Sequence, residues 1–224
     1  MMLRATLLMA LLALPLRAIS QESSVFSELK VTSLYQDRGF QLGDFTLHPS
    51  IEWAASDWYA GFFAALPLEN RSAPDRFENE YDFYLGKGWA AGDRVFWDAG
   101  ATFYAYEDSD SSFETYLGVN AELGTFSPSL YAYYDFDLEA FTLELSSGVA
   151  LPLDGFPGEV KLYLGRIETR DQIDYTYYGV DLIYPIEVGD QMRLELGVHY
   201  ADNDIGLGIP DEHLYGSVSL SYGF

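Results

Sequence analysis

The stretch HLYGSVSLSYGF (residues 213–224) alternates apolar and polar side chains along its length. One set of alternate positions holds Leu214, Gly216, Val218, Leu220, Tyr222 and Phe224, and the other holds Tyr215, Ser217, Ser219, Ser221 and Gly223. A period of two residues is the pattern of a β-strand that has one apolar face. The class of fold therefore depends on what this apolar face contacts.

The same alternation recurs along the chain and predicts about 12 strands in all. They are Glu28–Tyr35, Phe45–Ala54, Trp58–Leu68, Tyr81–Ala90, Val95–Tyr106, Phe113–Leu123, Phe126–Phe136, Phe141–Leu151, Val160–Ile167, Tyr175–Ile186, Met192–Ala201 and Leu214–Phe224. After the first 20 residues, no stretch carries the apolar period of an amphipathic helix over three turns. The sequence is therefore typical of an all-β protein.

The connections between the predicted strands alternate in character. Those after odd-numbered strands are mostly longer and acidic, as in EDSDSS (107–112), whereas those after even-numbered strands are mostly tight, as in ASD (55–57). Outer-membrane barrels show this asymmetry, with long extracellular loops and short periplasmic turns. An even number of strands would also place both termini of the chain in the periplasm.

The beginning of the chain has the features of a secretory signal peptide. Arg4 precedes the apolar stretch Ala5–Leu16, and AIS (18–20) has the small residues of a cleavage site before Gln21. The apolar stretch is too short to span a bilayer as a helix. We therefore expect residues 1–20 to be a signal peptide and residues 21–224 to form a single exported domain.

The composition excludes several classes of protein. With a net charge of −23, the chain is unsuited to binding nucleic acid. It has 18 Tyr and 15 Phe, whereas acidic disordered chains are poor in aromatic residues. It has no cysteine and therefore no disulfide.

Two architectures fit the alternation: a soluble all-β sandwich or lipocalin-like barrel, and a transmembrane barrel that turns its apolar face to lipid. The predicted strands match the length needed for a tilted crossing, about 9–11 residues. The apolar faces carry almost no charge, as contact with lipid requires. Aromatic residues cluster near strand ends, as in interfacial girdles: Phe45, Trp53, Trp58, Trp89, Trp97, Phe113, Phe126, Phe141 and Phe224. We therefore predict an antiparallel up-and-down β-barrel in the bacterial outer membrane, with lipid as a partner.

If the apolar faces contact lipid, the other faces line the lumen. The predicted pore-lining residues are Glu52, Asp82, Asp98, Glu114, Asn120, Glu144, Lys161, Arg193, Glu195 and His199. Carboxylates outnumber bases among them, and an acidic pore concentrates cations. Lys161 and Arg193 could pair with Glu144 and Glu195. The sequence thus predicts a cation-preferring channel for small solutes, and a largely plugged structural or ligand-binding barrel is the alternative.

An outer-membrane hydrolase is a further alternative, but the sequence gives it little support. His48 and Ser50 are two residues apart on one face, about 6.5–7 Å along a strand, which is too far for a hydrogen bond. His199 shares its face with Glu195, and no inward serine is close to it in sequence. Acidic loops such as EDSDSS lack the glycine and glutamate spacing of a calcium loop. We therefore predict no catalytic residue, no enzyme, no cofactor and no metal.

Three segments resemble the TorF-type porin family of proteobacteria. They are VTSLYQDRGF (31–40), HPSIEWAASDWYAGFFAA (48–65) and EYDFYLGKGW (80–89). The resemblance implies an exported outer-membrane barrel with a channel role and no known substrate. Arg38 and Gly39 belong to the turn of the first segment. We expect Gly39 to adopt a positive φ and Arg38 to lie at the mouth, paired with a carboxylate such as Asp44.

The final strand also resembles the C-terminal strand that outer-membrane proteins present to the barrel-assembly machinery. The pattern is a terminal aromatic residue, Phe224, with Tyr222, Leu220 and Val218 at alternate positions before it. The resemblance implies that the assembly machinery is a partner and that Tyr222 and Phe224 carry the assembly signal.

Overall fold

The computed structural model describes residues 23–68, 78–151, 158–170, 173–206 and 212–224. The predicted signal peptide, residues 1–20, lies outside this part of the chain. These described residues include no helix that is long and apolar enough to cross a membrane.

Strands close into one antiparallel barrel, in which each strand pairs with its neighbours in the chain and the last pairs with the first. The barrel strands are β1 (Ser23–Thr32), β4 (Thr46–Ala55), β5 (Trp58–Pro67), β6 (Glu80–Ala90), β7 (Val95–Tyr106), β8 (Ser112–Ala121), β9 (Phe126–Asp135), β10 (Ala140–Ala150), β11 (Glu159–Thr169), β12 (Tyr175–Glu187), β13 (Met192–Asn203) and β14 (His213–Gly223). Two short strands, β2 (Tyr35–Asp37) and β3 (Phe40–Gly43), form a separate hairpin between β1 and β4. We call Tyr35–Gly43 the L1 hairpin.

Most strand bounds agree with the prediction to within a residue or two, and Val95–Tyr106 agrees fully. The first strand is the exception, since the prediction was Glu28–Tyr35 and the strand is Ser23–Thr32. The chain leaves the barrel after Thr32, and Tyr35 belongs to the L1 hairpin. The prediction was wrong because local alternation continues through this point, although the strand pairing ends there.

The barrel has two ends, which we name from the chain. The lower end contains Ser23 and Gly223, the first residue of β1 and the last of β14. The upper end contains Thr32, the last residue of β1, and the L1 hairpin that follows it. A backbone hydrogen bond from Phe224 N to Val25 O, 2.9 Å, joins the two terminal segments at the lower end.

The outer face of the barrel is apolar and exposed. Leu85 on β6, Leu145 on β10 and Leu164 on β11 each expose slightly more than half of their surface. Soluble monomers rarely expose contiguous apolar surface on this scale. Because a closed barrel leaves no unpaired strand edge, it also satisfies the backbone in hydrocarbon. The face is therefore suited to lipid.

Aromatic side chains border this apolar surface at both ends. Trp89 and Trp97 stack at the lower end, with ring centroids 6.5 Å apart. Phe113 and Phe136 pack at the upper end, with centroids 5.9 Å apart. Two such rows are the interfacial girdles of a transmembrane barrel.

The inner face has a repeated packing unit, a tyrosine ring lying across a glycine of the neighbouring strand. Directly opposed pairs of this kind are Tyr84–Gly61, Tyr59–Gly86, Tyr116–Gly100, Tyr131–Gly118, Tyr177–Gly165 and Tyr163–Gly179. At each of these glycines a Cβ atom would collide with the ring. The abundance of both residue types is thus explained by how the barrel wall is lined.

Candidate pore

The L1 hairpin reverses at a two-residue turn formed by Arg38 and Gly39. Both have positive φ, 48° and 75°, which is the conformation of the turns that best suit tight hairpins. The positive φ expected for Gly39 is therefore present. The Gly39 amide also donates to Gln36 Oε1 at 2.7 Å, which fastens the turn to its own first strand.

Hydrogen bonds tie the L1 hairpin to widely separated strands. Tyr35 Oη donates to Glu80 Oε2 on β6 at 2.9 Å, and Gln36 Nε2 donates to Tyr215 Oη on β14 at 3.1 Å. Asn203 Nδ2 on β13 donates to Gly39 O at 2.6 Å. Contacts with strands on different sides of the barrel are possible only if the hairpin lies inside it. The hairpin therefore occupies the upper lumen.

Arg38 reaches furthest across the barrel. Its Nη1 lies 2.7 Å from Glu114 Oε2 and its Nη2 donates to Glu114 Oε1 at 2.8 Å. Its guanidinium also lies 4.8 Å from the centre of the Tyr133 ring. Arg38 thus pairs with a carboxylate as expected, but the partner is Glu114 on β8 and not the suggested Asp44, which accepts from Gln41 Nε2 at 3.0 Å.

The charge of Arg38 is secure despite its burial. Burial works against the charged guanidinium, but Asp37 and the hydrogen bond with Glu114 together raise the pKa of Arg38 well above its ordinary value. A two-point pair between guanidinium and carboxylate is also among the stronger charge-assisted hydrogen bonds. The hairpin is thus held by a permanent ion pair.

The hairpin tip divides the space inside the barrel. Asp37 and Arg38 line a cavity of about 390 Å³ at the upper end and also a cavity of about 350 Å³ beneath it. The second cavity shares Tyr133, Glu144 and Lys161 with a third, of about 460 Å³, that extends towards the lower end. The lumen is therefore a series of adjoining spaces, and the hairpin tip lies between the first two.

One side of the lumen is an acidic wall, formed by the inner faces of β4–β10. Its carboxylates are Glu52, Glu80, Asp82, Asp98, Glu114, Asp135 and Glu144. Among the described residues of these strands, no Lys or Arg shares the inner face; Lys87 on β6 faces outward, over the Trp58 ring. Opposed residues in the strand pairing fix which face each carboxylate occupies.

Tyrosines hold most carboxylates of the acidic wall. Asp98 accepts from two of them, Tyr59 Oη at 2.6 Å and Tyr131 Oη at 3.0 Å. Tyr84 Oη donates to Glu52 Oε2 at 3.0 Å, and Tyr177 Oη donates to Glu144 Oε2 at 2.8 Å. Hydrogen bonds to an ionised acceptor are stronger than neutral ones. The wall is thus a fixed array of carboxylates.

The opposite side, β11–β14 with β1, carries both signs of charge. Arg193 Nη2 lies 2.8 Å from Glu195 Oε1, as the sequence suggested. The other suggested pair is not formed within the described residues. Lys161 lies opposite Gly148 and Glu144 opposite Gly165, which separates them by four residues, or about 13 Å along the strands.

The remaining predicted pore residues also have defined places. Asn120 Nδ2 donates to Tyr131 Oη at 3.0 Å, beside Asp98. Asp82 is buried in the upper acidic wall.

The two residues predicted to carry the assembly signal lie at the lower end, on the outer face. Tyr222 Oη donates to Gln191 Oε1 at 2.8 Å, and its ring packs edge-on against Phe224 with centroids 4.5 Å apart.

Sequence reasoning missed several residues of the lumen. Tyr35 and Gln36 were not recognised, because nothing local indicates that the first loop folds inward. The irregular alternation around Asp181 does not indicate which face it occupies, and the structure places it opposite His199. Ser217 was assigned to the inner face but not to His199, from which it is separated by 18 residues in the chain.

Three histidines lie on the inner face: His48 on β4, His199 on β13 and His213 at the start of β14. His48 Nε2 is 3.0 Å from Thr32 Oγ1, and its ring lies between Tyr35 and Phe63. His199 contacts both Asp181 and Ser217. In the described residues, no group of three or more acidic or histidine side chains is arranged to hold a metal ion.

Solved structures similar to this chain are outer-membrane porins. The KdgM porin matches with a TM-score of 0.63 at 11% identity, over 90% of this chain and 99% of that one. KdgM in complex with disordered oligogalacturonate matches with 0.61 at 11%, over 90% and 99%, and the NanC porin with 0.58 at 8%, over 88% and 98%. Comparison with models of protein families finds no match, and neither does comparison with curated proteins. The chain therefore has a porin-type fold, and the finer resemblance to the TorF-type family stays a prediction.

Proposed function

We propose that this barrel is an outer-membrane channel for small solutes and that the L1 hairpin restricts its upper opening. The observation that supports this proposal most is that the hairpin tip lines cavities both above and beneath it. In this proposal, a solute that enters from above passes Asp37 and Arg38 before it reaches the cavity beneath them. Below them, connected cavities lead towards the lower end.

The channel prefers cations in this proposal, for a reason more specific than the overall acidity of the chain. The acidic wall faces the permeating solute. Arg38, at the hairpin tip, contacts this wall but is already paired with Glu114. Fixed negative charge along a narrow pore attracts cations and repels anions. The bases of the opposite wall, Lys30 and Lys161, make the field transverse, so that it runs across the pore.

Polyanionic solutes are a less suitable cargo for this lumen. One similar porin was solved in complex with disordered oligogalacturonate, which carries many carboxylates. In the present chain such a solute would pass Glu52, Asp98 and Glu144 on one side and meet few bases on the other. A small cation, or a neutral solute that stacks on the tyrosines, fits the lining better.

A largely plugged barrel without transport is the second candidate, and the density of contacts around the L1 hairpin favours it. If the hairpin never leaves its place, solute flow would be limited to whatever passes beside Arg38 and Tyr133. This candidate and the channel differ in one measurable property, which is ion flow through the isolated barrel.

Planar-bilayer recording of the purified barrel tests the proposal. We expect discrete conductance steps in KCl, and under a salt gradient we expect a reversal potential of the sign given by cation flow. The absence of steps above leak, in protein shown to be folded by its heat-dependent migration on a gel, would leave the plugged barrel. A reversal potential of the opposite sign would refute the cation preference alone.

The surroundings of the barrel follow from the same proposal. The outer apolar face contacts outer-membrane lipid between its two aromatic girdles, and the signal peptide directs export. The C-terminal strand, with Tyr222 and Phe224, binds the barrel-assembly machinery. Membership of the TorF-type family would agree with all three points.

A further inference from the structure

Three neighbouring strands bring an aspartate, a histidine and a serine into one hydrogen-bonded line on the inner face. His199 Nδ1 on β13 lies 2.8 Å from Asp181 Oδ1 on β12, and His199 Nε2 lies 2.8 Å from Ser217 Oγ on β14. Asp181 is directly opposite His199, whereas Ser217 is opposite Gly197, two residues before the histidine. Strand register alone creates this arrangement.

The chemistry of the three groups sets the direction of both hydrogen bonds. An ionised carboxylate only accepts, so Asp181 fixes the proton of His199 on Nδ1. The lone pair of Nε2 then faces the hydroxyl of Ser217, which donates to it. A serine, a histidine base and a carboxylate that orients the base form the arrangement that activates serine nucleophiles.

The surroundings hold the imidazole in place beside the lumen. His199 is 4% exposed, and its ring stacks on Tyr215 with centroids 4.7 Å apart. Gly197 has no side chain, and a Cβ atom there would meet both Ser217 Oγ and His199 Nε2. Asp181, His199 and Thr32, the residue opposite Ser217 on β1, line the cavity beneath the hairpin tip.

We propose that Ser217 is a nucleophile activated by His199 and oriented through Asp181, and that small acyl esters entering the lumen acylate it. Ser217 Oγ forms a bond to the ester carbonyl carbon, while its proton passes to His199 Nε2. The ester C–O bond then breaks, and the alcohol leaves with that proton. Water attacks the acyl-serine by the reverse proton path and releases the carboxylic acid.

The barrel contains its own comparison pair, Thr32 and His48. There too a hydroxyl faces an imidazole, with Thr32 Oγ1 3.0 Å from His48 Nε2. No carboxylate orients this imidazole, because His48 Nδ1 is buried without a hydrogen-bond partner in the described part of the chain. If the carboxylate is what matters, Ser217 reacts and Thr32 does not.

Labelling of the folded, detergent-solubilised barrel with a small fluorophosphonate tests this inference, with mass spectrometry to locate the adduct. We expect a single adduct on Ser217. Protein that is heat-denatured before the reagent is added should not be labelled. His199→Asn should slow labelling on the order of 100-fold, within the range of general-base contributions. Release of p-nitrophenol from p-nitrophenyl acetate should fall in parallel.

Asp181 acts through His199, so its test needs a readout that simple destabilisation would not give. Asp181→Asn should slow labelling by no more than His199→Asn does, while the heat-dependent gel migration stays unchanged, and Asp181→Glu should restore part of the rate. Ser146→Ala is the matched control, because Ser146 is an inner-face serine that bonds Ser129 Oγ at 2.6 Å. Its labelling should equal that of the wild type.

Three results would overturn the proposal. They are a wild-type barrel without an adduct on Ser217, equal labelling of Ser217 and Thr32, and a labelling rate that is independent of His199 in a folded variant. Because the assay uses detergent and no membrane, its outcome is independent of whether the barrel conducts ions.

Discussion

Arg38 and Glu114, 76 residues apart in the chain, form a two-point ion pair across the upper lumen. The pair joins the L1 hairpin to β8, while Tyr35 joins the same hairpin to β6. The glutamate side chain is only 3% exposed, whereas that of the arginine is 20% exposed. The carboxylate end of the ion pair, on the barrel wall, is therefore the end that water reaches less.

Arg38→Ala should open the channel. Loss of one partner of a buried ion pair typically costs about 3–5 kcal/mol, and every 1.4 kcal/mol is about a factor of ten in an equilibrium. The population of barrels with a displaced hairpin should therefore rise by about 100-fold or more. Single-channel recording should show larger or more frequent steps than in the wild type.

The exposed ion pair between Arg170 and Glu139 provides the control, since both side chains lie near the surface at the upper end. Arg170→Ala should leave the conductance unchanged. In a Glu114→Ala background, Arg38→Ala should add little, because the two residues act as one unit. Independent effects of the two substitutions would show that Arg38 and Glu114 do not hold the L1 hairpin as one unit.

Removal of charge from the acidic wall should weaken the cation preference. In water, one charge at 4 Å stabilises a passing ion by about 1 kcal/mol, or roughly a fivefold change in relative occupancy. Asp98→Asn with Glu52→Gln should thus move the reversal potential in a KCl gradient clearly towards zero. Glu168→Gln is the control, because Glu168 is exposed on β11 and pairs only loosely with Arg166 at 4.0 Å.

Glu114→Gln should have a smaller effect on selectivity than the lower pair, although the sequence predicts all three carboxylates as pore-lining. Its charge is already neutralised by Arg38. We expect the gain in conductance from a loosened hairpin to dominate in this variant. A loss of selectivity equal to that of Asp98→Asn would show that Arg38 does not screen Glu114.

The sequence carried most of the information about the strands and their faces, because alternation is local and each strand displays it alone. It did not reveal where the first loop goes, since Arg38 finds its partner on a strand far along the chain. The sequence also did not predict that Ser217 contacts His199 or that Lys161 lies far from Glu144, because both depend on strand register. Register is set by turn lengths and by pairing across the sheet.

The closing contact between β1 and β14 should depend on the last residue of the chain. Phe224 N donates to Val25 O at 2.9 Å, and its ring packs against Tyr222. Phe224→Ala should lower the yield of folded barrel in the outer membrane. Phe126→Ala is the control, because Phe126 is equally exposed at the lower end but lies away from the closing strands. Equal yields for both variants would remove any special role of Phe224.

The packing of tyrosine across glycine should make Gly165 sensitive to the smallest added side chain. Tyr177, fully buried, lies over Gly165 and donates to Glu144, so a methyl group at Gly165 would displace both the ring and this hydrogen bond. Overpacking of this kind typically costs about 1–3 kcal/mol. Gly165→Ala should lower the temperature of the heat-dependent shift on gels, whereas Gly88→Ala should not, because a Cβ there makes only an ordinary contact of 3.7 Å with Trp97 O. If Tyr177→Ala restored no stability to Gly165→Ala, the collision between ring and methyl group would not be the cause.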